Sequence, residues 1–440
     1  MKPLGLGLLA LSVFVPAVMM ASLPDIRDAG ALFSQYLGIS ALILMAWAQV
    51  MATRMPGVET VFGGLDRVYV LHKWSGVIAM AAVLVHDTID ADMRGLGRET
   101  ALNDLAETLG EISLYGLLIL VVLSIATFVP YHLWKWTHKA MGALFAAGVF
   151  HFVFILKPFA MTDPVGLYAG GFCLVGLLAY GWTMLPETAR PSHGYTIDAV
   201  SRTGGALAVT LVPDGRGIRP VPGQFGVLRF TGAGKPEPHP FSFSRIGPDG
   251  ALRVTIKPLG DFTTGLASHL AAGQAVRLQG PFGRFRQAPR GPQVWIAAGI
   301  GITPFLAWAA ALSDDAPPVH LFYCYRNADE APHLDEIAAL AAQKPNLHLH
   351  AYVSADGDRL TPQAVANIVG SALGTATVAY CGPVTLRRTL EAGLKRHGVT
   401  AKRFHYEEFE FRTGVGLKRL AAWIMDRGRA AGRTGNQSAE

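Results

Sequence analysis

The stretch HKWSGVIAMAAVLVH, residues 72–86, sets an uninterrupted apolar run between two histidines. Their spacing, 86 − 72 = 14, returns to within about 40° of the same face of an α-helix and separates the rings by roughly 21 Å along its axis. A helix of this kind crossing a hydrocarbon layer of about 30 Å holds one histidine near each face. A second stretch, HKAMGALFAAGVFH at residues 138–151, repeats the device with a spacing of 151 − 138 = 13. Its rise of roughly 20 Å matches the first pair, but an ideal helix puts His138 and His151 about 140° apart. That mismatch predicts a bulge, a kink or an irregular start near His138. Ligating side chains are costly inside a bilayer and face a bundle interior with a function to perform. Paired by depth, His72 with His138 and His86 with His151 read as the axial ligands of two b-type haems. Closure of both axial positions suits electron transfer. Small residues such as Gly76, Ala79, Gly142 and Gly148 leave room for a macrocycle.

The chain around these pairs has the composition of two different halves. Of 440 residues, 51% are hydrophobic and 16% charged, and the apolar material is concentrated before about residue 185. Six stretches suit a membrane span: residues 4–22, 31–52, 70–88, 110–129, 137–157 and 164–185. The first also has the pattern of a secretory signal, with Lys2 before the apolar run and Ala21 and Ser22 after it. Lys2, Arg54, Arg67, Lys73, Lys135, Lys139 and Arg190 fall on one side of these spans, and Arg27, Arg94, Arg98 and Lys157 on the other. The richer side is expected to be cytoplasmic, which places the chain in an inner or plasma membrane as a multi-pass protein with its later domains in the cytoplasm. The segment from Asp87 to Glu111, with seven acidic and two basic residues, becomes an outer loop. The net charge of +6 is dispersed beside apolar segments, so nucleic acid is not an expected partner and the lipid bilayer is. Cys173, Cys324 and Cys381 lack disulfide or metal spacing.

Beyond a polar linker at residues 186–194, six short alternating runs broken by glycine and proline read as an antiparallel barrel, interrupted by a helix at Thr263–Leu270. From Gln293, apolar strands alternate with helices, the pattern of a doubly wound parallel sheet. Its first strand runs into GIGITP. There Gly299 and Gly301 allow the backbone to approach a pyrophosphate, and Thr303 and Pro304 open a helix whose N-terminus faces it. Cys381, Gly382 and Pro383 end a later strand, at the edge where such sheets bind ligands. Arg326 ends the second strand where a 2′-phosphate is bound, and no acidic residue stands at that strand end, which favours NADPH over NADH.

These residues together resemble the ferric reductase and NADPH oxidase superfamily, from about Leu32 to Phe411. That family carries histidines 14 apart on its third helix and 13 apart on its fifth, and the resemblance implies a distorted fifth helix. It identifies HPFSFS, residues 239–244, as the flavin motif. His239 then lies near the FAD phosphates, Phe241 packs on the flavin and Ser242 approaches N5, with Pro240 and Ser244 completing the site. Lys257, Gly260, Asp261, Phe262 and Thr263 resemble the diphosphate-binding segment. HYEEFEF, residues 405–411, is similar to the terminal aromatic segment, with Phe409, or Phe411 as the alternative, covering the flavin where nicotinamide docks. Ser242, Cys381 and Phe409 are the expected catalytic positions. The implied domains are a six-span haem bundle at 1–186, an FAD-binding barrel at 187–290, an NAD(P)-binding α/β domain at 291–411 and a basic extension at 412–440.

The expected function is electron transfer from cytoplasmic NADPH through FAD and the two haems to an acceptor on the outer face. The candidate acceptors are oxygen, a ferric complex and a periplasmic redox partner. The rival reading is a membrane sensor or transporter that binds haem and nucleotide without turnover.

Overall fold

In water-free hydrocarbon a backbone must satisfy its own polar groups, so long apolar runs form helices. A computed structural model describes residues 2–23, 28–89, 101–125, 131–186, 189–231 and 237–407. Among the described residues the chain divides into two compact units, one holding residues up to Gly63 and Arg67–Leu185, the other holding Gly64–Asp66 and the residues from Pro186. The first holds α1 (Pro3–Ala21), α2 (Ala29–Ala52), α3 (Pro56–Phe62), α4 (Leu65–Thr88), α5 (Ala101–Ile125), α6 (Tyr131–Phe154) and α7 (Pro164–Met184). Five of these, α1, α2, α4, α5 and α7, are long and apolar enough to cross a membrane, which makes this a multi-pass membrane protein. The sixth long helix, α6, carries Lys135, Lys139 and the second histidine pair. Asp28 caps α2 by accepting from the Gly30 amide at 2.8 Å. The Trp47 indole of α2 donates to the Ser12 hydroxyl of α1 at 2.9 Å, which ties the first helix into the bundle.

Three expectations for this unit need correction. The segment Asp87–Glu111 is not all loop. Helix α5 begins at Ala101, so Asp104, Glu107 and Glu111 lie on its first turns. Polar residues there extend the helix past the hydrocarbon, where hydropathy no longer reports it. Helix α3 was not foreseen; Pro56 opens it and Gly63, at φ 115°, follows it. Helix α6 is continuous α-helix from Tyr131 to Phe154, so the expected bulge or irregular start near His138 is absent. Arg27, Arg94 and Arg98 lie outside the described residues.

The second unit opens with a closed barrel of β1 (His193–Thr203), β2 (Ala206–Pro213), β3 (Phe225–Phe230), β4 (His239–Ile246), β5 (Leu252–Ile256) and β6 (Ala275–Phe282), in the order β1-β2-β5-β4-β3-β6. Alternation sends Tyr195, Ile197, Val209, Leu228, Val254 and Leu278 into its core. The Tyr195 hydroxyl also accepts from the Ile218 amide at 2.9 Å, so the buried phenol is satisfied. A short helix, α8, runs over Asp261–Ala267, slightly earlier than the sequence suggests.

A parallel sheet follows, of β7 (Gln293–Ala298), β8 (Val319–Tyr325), β9 (Leu347–Val353), β10 (Thr377–Cys381) and β11 (Phe404–Glu407), in the order β11-β10-β7-β8-β9. The last strand falls within the segment read only as terminal and aromatic. Helices α9 (Thr303–Ala311), α10 (Leu334–Gln343), α11 (Pro362–Val369) and α12 (Val384–Arg396) cover the sheet. Trp295, Phe305 and Trp308 are fully buried on one face, each contributing about 1.5–3 kcal/mol relative to exposure. Helix α9 also packs against β4, so barrel and sheet share a wall.

That wall includes a polar network. Arg253 of β5 donates to both Glu336 carboxylate oxygens at 2.7 and 2.9 Å, and the same carboxylate lies 2.8 Å from the His333 Nδ1. Burial pushes the Glu336 carboxyl up, but the His333 and Arg253 bonds outweigh it and hold the group at about 2. A carboxylate lowered in the fold contributes stability above its ordinary value of 4.5, and that contribution is lost as pH falls toward about 2. Acid unfolding of the full chain, followed by tryptophan fluorescence, is expected to steepen across this window. The Glu336→Gln variant is expected to flatten that part of the profile.

Candidate functional site

Each membrane histidine is held through one ring nitrogen. His72 Nδ1 lies 2.9 Å from the Ala48 carbonyl, His86 Nδ1 2.8 Å from the Ser34 carbonyl and His151 Nδ1 2.9 Å from the Ala106 carbonyl. A carbonyl can only accept, so Nδ1 carries the proton in these three rings and Nε2 keeps the lone pair. His138 Nδ1 faces the Ser124 hydroxyl at 3.1 Å, and its ring stacks on Trp134 at 4.9 Å. Ring nitrogens pinned this way are the usual support behind a metal-binding imidazole. Helix α2 thus supports the histidines of α4, and α5 those of α6.

The rings pair as the spacing predicts. His72 and His138 have centroids 5.8 Å apart, against roughly 6 Å for two imidazoles each bound about 2 Å from one metal. His86 and His151 occupy the other end of the same two helices, α4 and α6. Gly38 abuts the His86 ring, and a Cβ on Gly110 would stand 2.6 Å from His151 Nδ1. Any side chain at position 110 therefore displaces that ring. Helices α5 and α6 pack along one another, whereas α4 approaches its neighbours closely at few points among the described residues. Gly76 of α4 faces open space, while Gly142 is filled by Tyr180 and serves helix packing. No group of three or more His, Cys, Asp or Glu has metal-holding geometry among the described residues. An iron held between two paired imidazoles would need its remaining ligands from a group such as a porphyrin, and paired imidazoles with Nε2 free fit that demand.

Sequence reasoning did not single out Ser34, Ala48, Ala106, Ser124, Gly38 or Gly110. One signal was available: Ser34 and Ala48 stand 48 − 34 = 14 apart, the same interval as His72 and His86. Antiparallel helices with equal intervals meet at both points.

In the second unit, Ser242 and Phe225 face each other across the β3–β4 ladder. The Ser242 hydroxyl is buried and has no hydrogen-bond partner among the described residues. An unpaired buried hydroxyl costs about 1–3 kcal/mol, so this one is open to a partner from outside the chain, water or a bound molecule. His239 stacks on Phe262 of α8 with centroids 3.8 Å apart, while Phe241 meets Phe230 edge-on and packs against the barrel core. Pro240 pairs with Val227. Ser244 is engaged elsewhere, donating to the Arg253 carbonyl at 3.1 Å and accepting from Arg253 Nε at 3.0 Å. The Thr263 hydroxyl caps α8 by accepting from the Leu259 and Gly260 amides at 2.9 and 3.2 Å. Those two amides are satisfied within the turn, and of the Asp261 side chain nothing is described.

The order of the parallel sheet places its switch point between β7 and β10, and ligands of such sheets bind in the crevice beyond those strand ends. Gly299 follows β7 at φ 55°, a left-handed conformation that favours glycine. A Cβ on it would lie 4.0 Å from Lys257 Nζ, so a barrel cation reaches this turn. Gly301 serves a close approach: its Cβ would stand 2.1 Å from the Cys381 carbonyl. Its missing side chain lets the two strand-end turns meet, a packing role beyond the expected approach to a pyrophosphate. Gly382 is similarly tight against Ala298 and Tyr380. Thr303 and Pro304, both buried, open α9. Pro383 accepts the Tyr380 hydroxyl at 2.8 Å. Burial, then the nearby Glu407, pushes the Cys381 thiol well up, so it stays protonated at neutral pH and is no base. Arg326 follows β8 with its side chain exposed. The expected lack of acid there holds along β8 only. Burial pushes the Tyr325 phenol up, and Asp356, from the turn after β9, adds to the shift from close by. Phe409 and residues 412–440 lie outside the described residues.

The architecture is that of a bundle of long apolar helices followed in sequence by a closed six-stranded barrel and a five-stranded parallel sheet. Residues 37–149 match the family described as Ferric reductase like transmembrane component, and residues 295–391 match the Oxidoreductase NAD-binding domain. Together the two matches set a ferric reductase-like membrane segment and an NAD-binding oxidoreductase segment in one chain, the arrangement of a ferric reductase and NADPH oxidase-type fusion. Among curated relatives it is 29% identical over 200 residues to the toluate 1,2-dioxygenase electron transfer component of Pseudomonas putida, covering 43% of this chain and 58% of that one. It is 34% identical over 145 residues to the heme-dependent oxidative N-demethylase beta subunit of Ectopseudomonas mendocina, covering 33% and 44%. The chain spans about half the length of the curated relatives it matches. The Amycolatopsis cytochrome P450 reductase GcoB superposes with a TM-score of 0.44 at 23% identity, over 50% of this chain and 70% of that one.

Proposed function

We propose that the protein is an NAD(P)H-dependent transmembrane oxidoreductase that carries electrons from a cytoplasmic nucleotide to an acceptor on the outer face of an inner or plasma membrane. The observation that carries this reading is the set of four imidazoles, paired by depth, three of them with Nδ1 committed to a backbone carbonyl. A bound flavin would supply the conversion of a two-electron hydride into single electrons, and haem held by the paired histidines would supply one-electron carriers. His72 with His138 holds the inner centre, and His86 with His151 the outer one. Ser242 offers its buried hydroxyl to the flavin edge, and His239 with Lys257 offers positive or hydrogen-bonding character to phosphates. Gly299 and Gly301 shape the dinucleotide turn, and Cys381 closes the nicotinamide side as a neutral thiol. Phe409 is proposed to cover the flavin until nicotinamide enters.

Arg326 supports NADPH, whereas Asp356 is the feature that draws NADH. The Arg326→Ala variant is expected to raise the KM for NADPH about tenfold, the loss of one charge-assisted bond of ~1.5 kcal/mol, while the KM for NADH stays level. An equal rise for both nucleotides contradicts this assignment. The acceptor is oxygen, reduced to superoxide, or a ferric complex, reduced to the ferrous state. The test uses proteoliposomes given NADPH on the side of the reductase module only. Superoxide-dismutase-sensitive cytochrome c reduction is read on the opposite side, beside ferrous-chelator colour. Product on that side supports the function, and which assay responds names the acceptor. NADPH consumption with product only on the module side overturns it.

A further inference from the structure

The nucleotide-binding sheet meets the barrel through a contact that the proposed function does not use. The segment after β8, Arg326 to Pro332, ends at His333, a buried histidine held at φ 56°. Few non-glycine residues take that conformation, and it persists where surrounding bonds over-determine it. Here they do. The His333 amide donates to the Thr203 hydroxyl at 2.6 Å, and the Gly205 amide donates to the Glu330 carbonyl at 3.3 Å. Gly204, at φ 53°, brings the barrel's β1–β2 turn so close that a Cβ would stand 2.6 Å from Ala331. The Tyr323 hydroxyl donates to the Pro332 carbonyl at 2.8 Å and fixes the same segment to the sheet.

The His333 ring continues the connection. Its Nε2 lies 2.8 Å from the Thr255 hydroxyl of β5, and its Nδ1 faces Glu336, whose carboxylate is held by Arg253. Arg253 Nε then reaches the Ser244 hydroxyl, two residues beyond Ser242 on the same strand. A chain of bonds therefore runs from the loop beside Arg326 to the strand bearing Ser242. A partly buried ion pair is a weak source of stability, because desolvation offsets its attraction, and its best-attested use is to specify one geometry.

We propose that the Thr203–Gly205 turn and the His333–Glu336–Arg253 chain form a clasp that sets the distance between the nucleotide-binding edge and the Ser242 strand. The proposal rests on the function given above, and makes His333, Glu336 and Arg253 positioning residues for hydride transfer. Reacting atoms must come within about 3–3.5 Å, and a misplacement near 1 Å costs on the order of 100-fold in rate. Loosening the clasp changes that distance while leaving each cofactor's own contacts in place.

The test compares full-length wild type with Glu336→Gln and Thr203→Ala, the second removing one bond without stranding a charge. Rapid mixing with saturating NADPH gives the limiting rate of flavin reduction. Titration with NADP+ gives its dissociation constant, and extraction gives FAD content. The clasp predicts a limiting rate lowered about 10–100-fold in Glu336→Gln and less in Thr203→Ala, with FAD content and NADP+ affinity within about threefold of wild type. Unchanged limiting rates in both variants overturn the clasp. Losses of FAD or NADP+ binding in proportion to the rate also overturn it, since they mark a structural role. A wild type whose flavin NADPH does not reduce refutes the function itself, and the clasp falls with it.

Discussion

Replacing His86 with leucine is expected to lower haem from two to about one per chain and to abolish reduction of the outer acceptor, while NADPH still reduces the flavin. The imidazole is fixed by the Ser34 carbonyl at 2.8 Å and abutted by Gly38, and leucine offers no ligating atom in its place. Changes to supporting groups alone cost about 10–100-fold at metal sites, and loss of the ligand costs more. Ser34→Ala, which keeps the carbonyl and removes only the hydroxyl, is expected to retain both haems. Pyridine haemochrome content and dithionite-reduced spectra separate the two variants. Unchanged haem in His86→Leu refutes the ligand assignment.

The second large effect is expected at the other end of the chain. Gly301→Ala places a methyl 2.1 Å from the Cys381 carbonyl, where only backbone could give way. Overpacking of this kind costs about 1–3 kcal/mol even where side chains can yield. The strand-end turns of β7 and β10 must part, and the crevice between them is the proposed nucleotide site. NADPH-driven flavin reduction is expected to fall on the order of 100-fold, the rate equivalent of ~2.7 kcal/mol. Dithionite-reducible haem remains at two per chain. Full NADPH activity in Gly301→Ala contradicts the proposed site, and loss of haem in this variant contradicts the independence of the membrane unit.

Much of this was legible in the residues because period and spacing are local. The interval of 14 between His72 and His86 fixes a face and a depth without any tertiary knowledge. The six barrel strands announced themselves by alternation and glycine breaks. The start of α5 was hidden because Asp104, Glu107 and Glu111 read as loop to a hydropathy window, although a helix continues readily beyond the bilayer. Strand β11 was hidden by its length of four residues. The interval of 13 between His138 and His151 did not produce the expected bulge, and both rings find partners on α5, at Ser124 and Ala106. The His333 contacts depend on residues 78 and 130 positions away, Thr255 and Thr203, and no local pattern announces such a meeting.

The central claim is that nucleotide-derived electrons reach the paired-histidine centres. Anaerobic addition of NADPH to the purified, FAD-replete protein, followed by absorbance, tests it most directly. The account predicts flavin bleaching followed by the spectrum of reduced b-type haem, with both centres reduced in wild type and one in His86→Leu. Flavin bleaching with the haem spectrum left oxidised would contradict it.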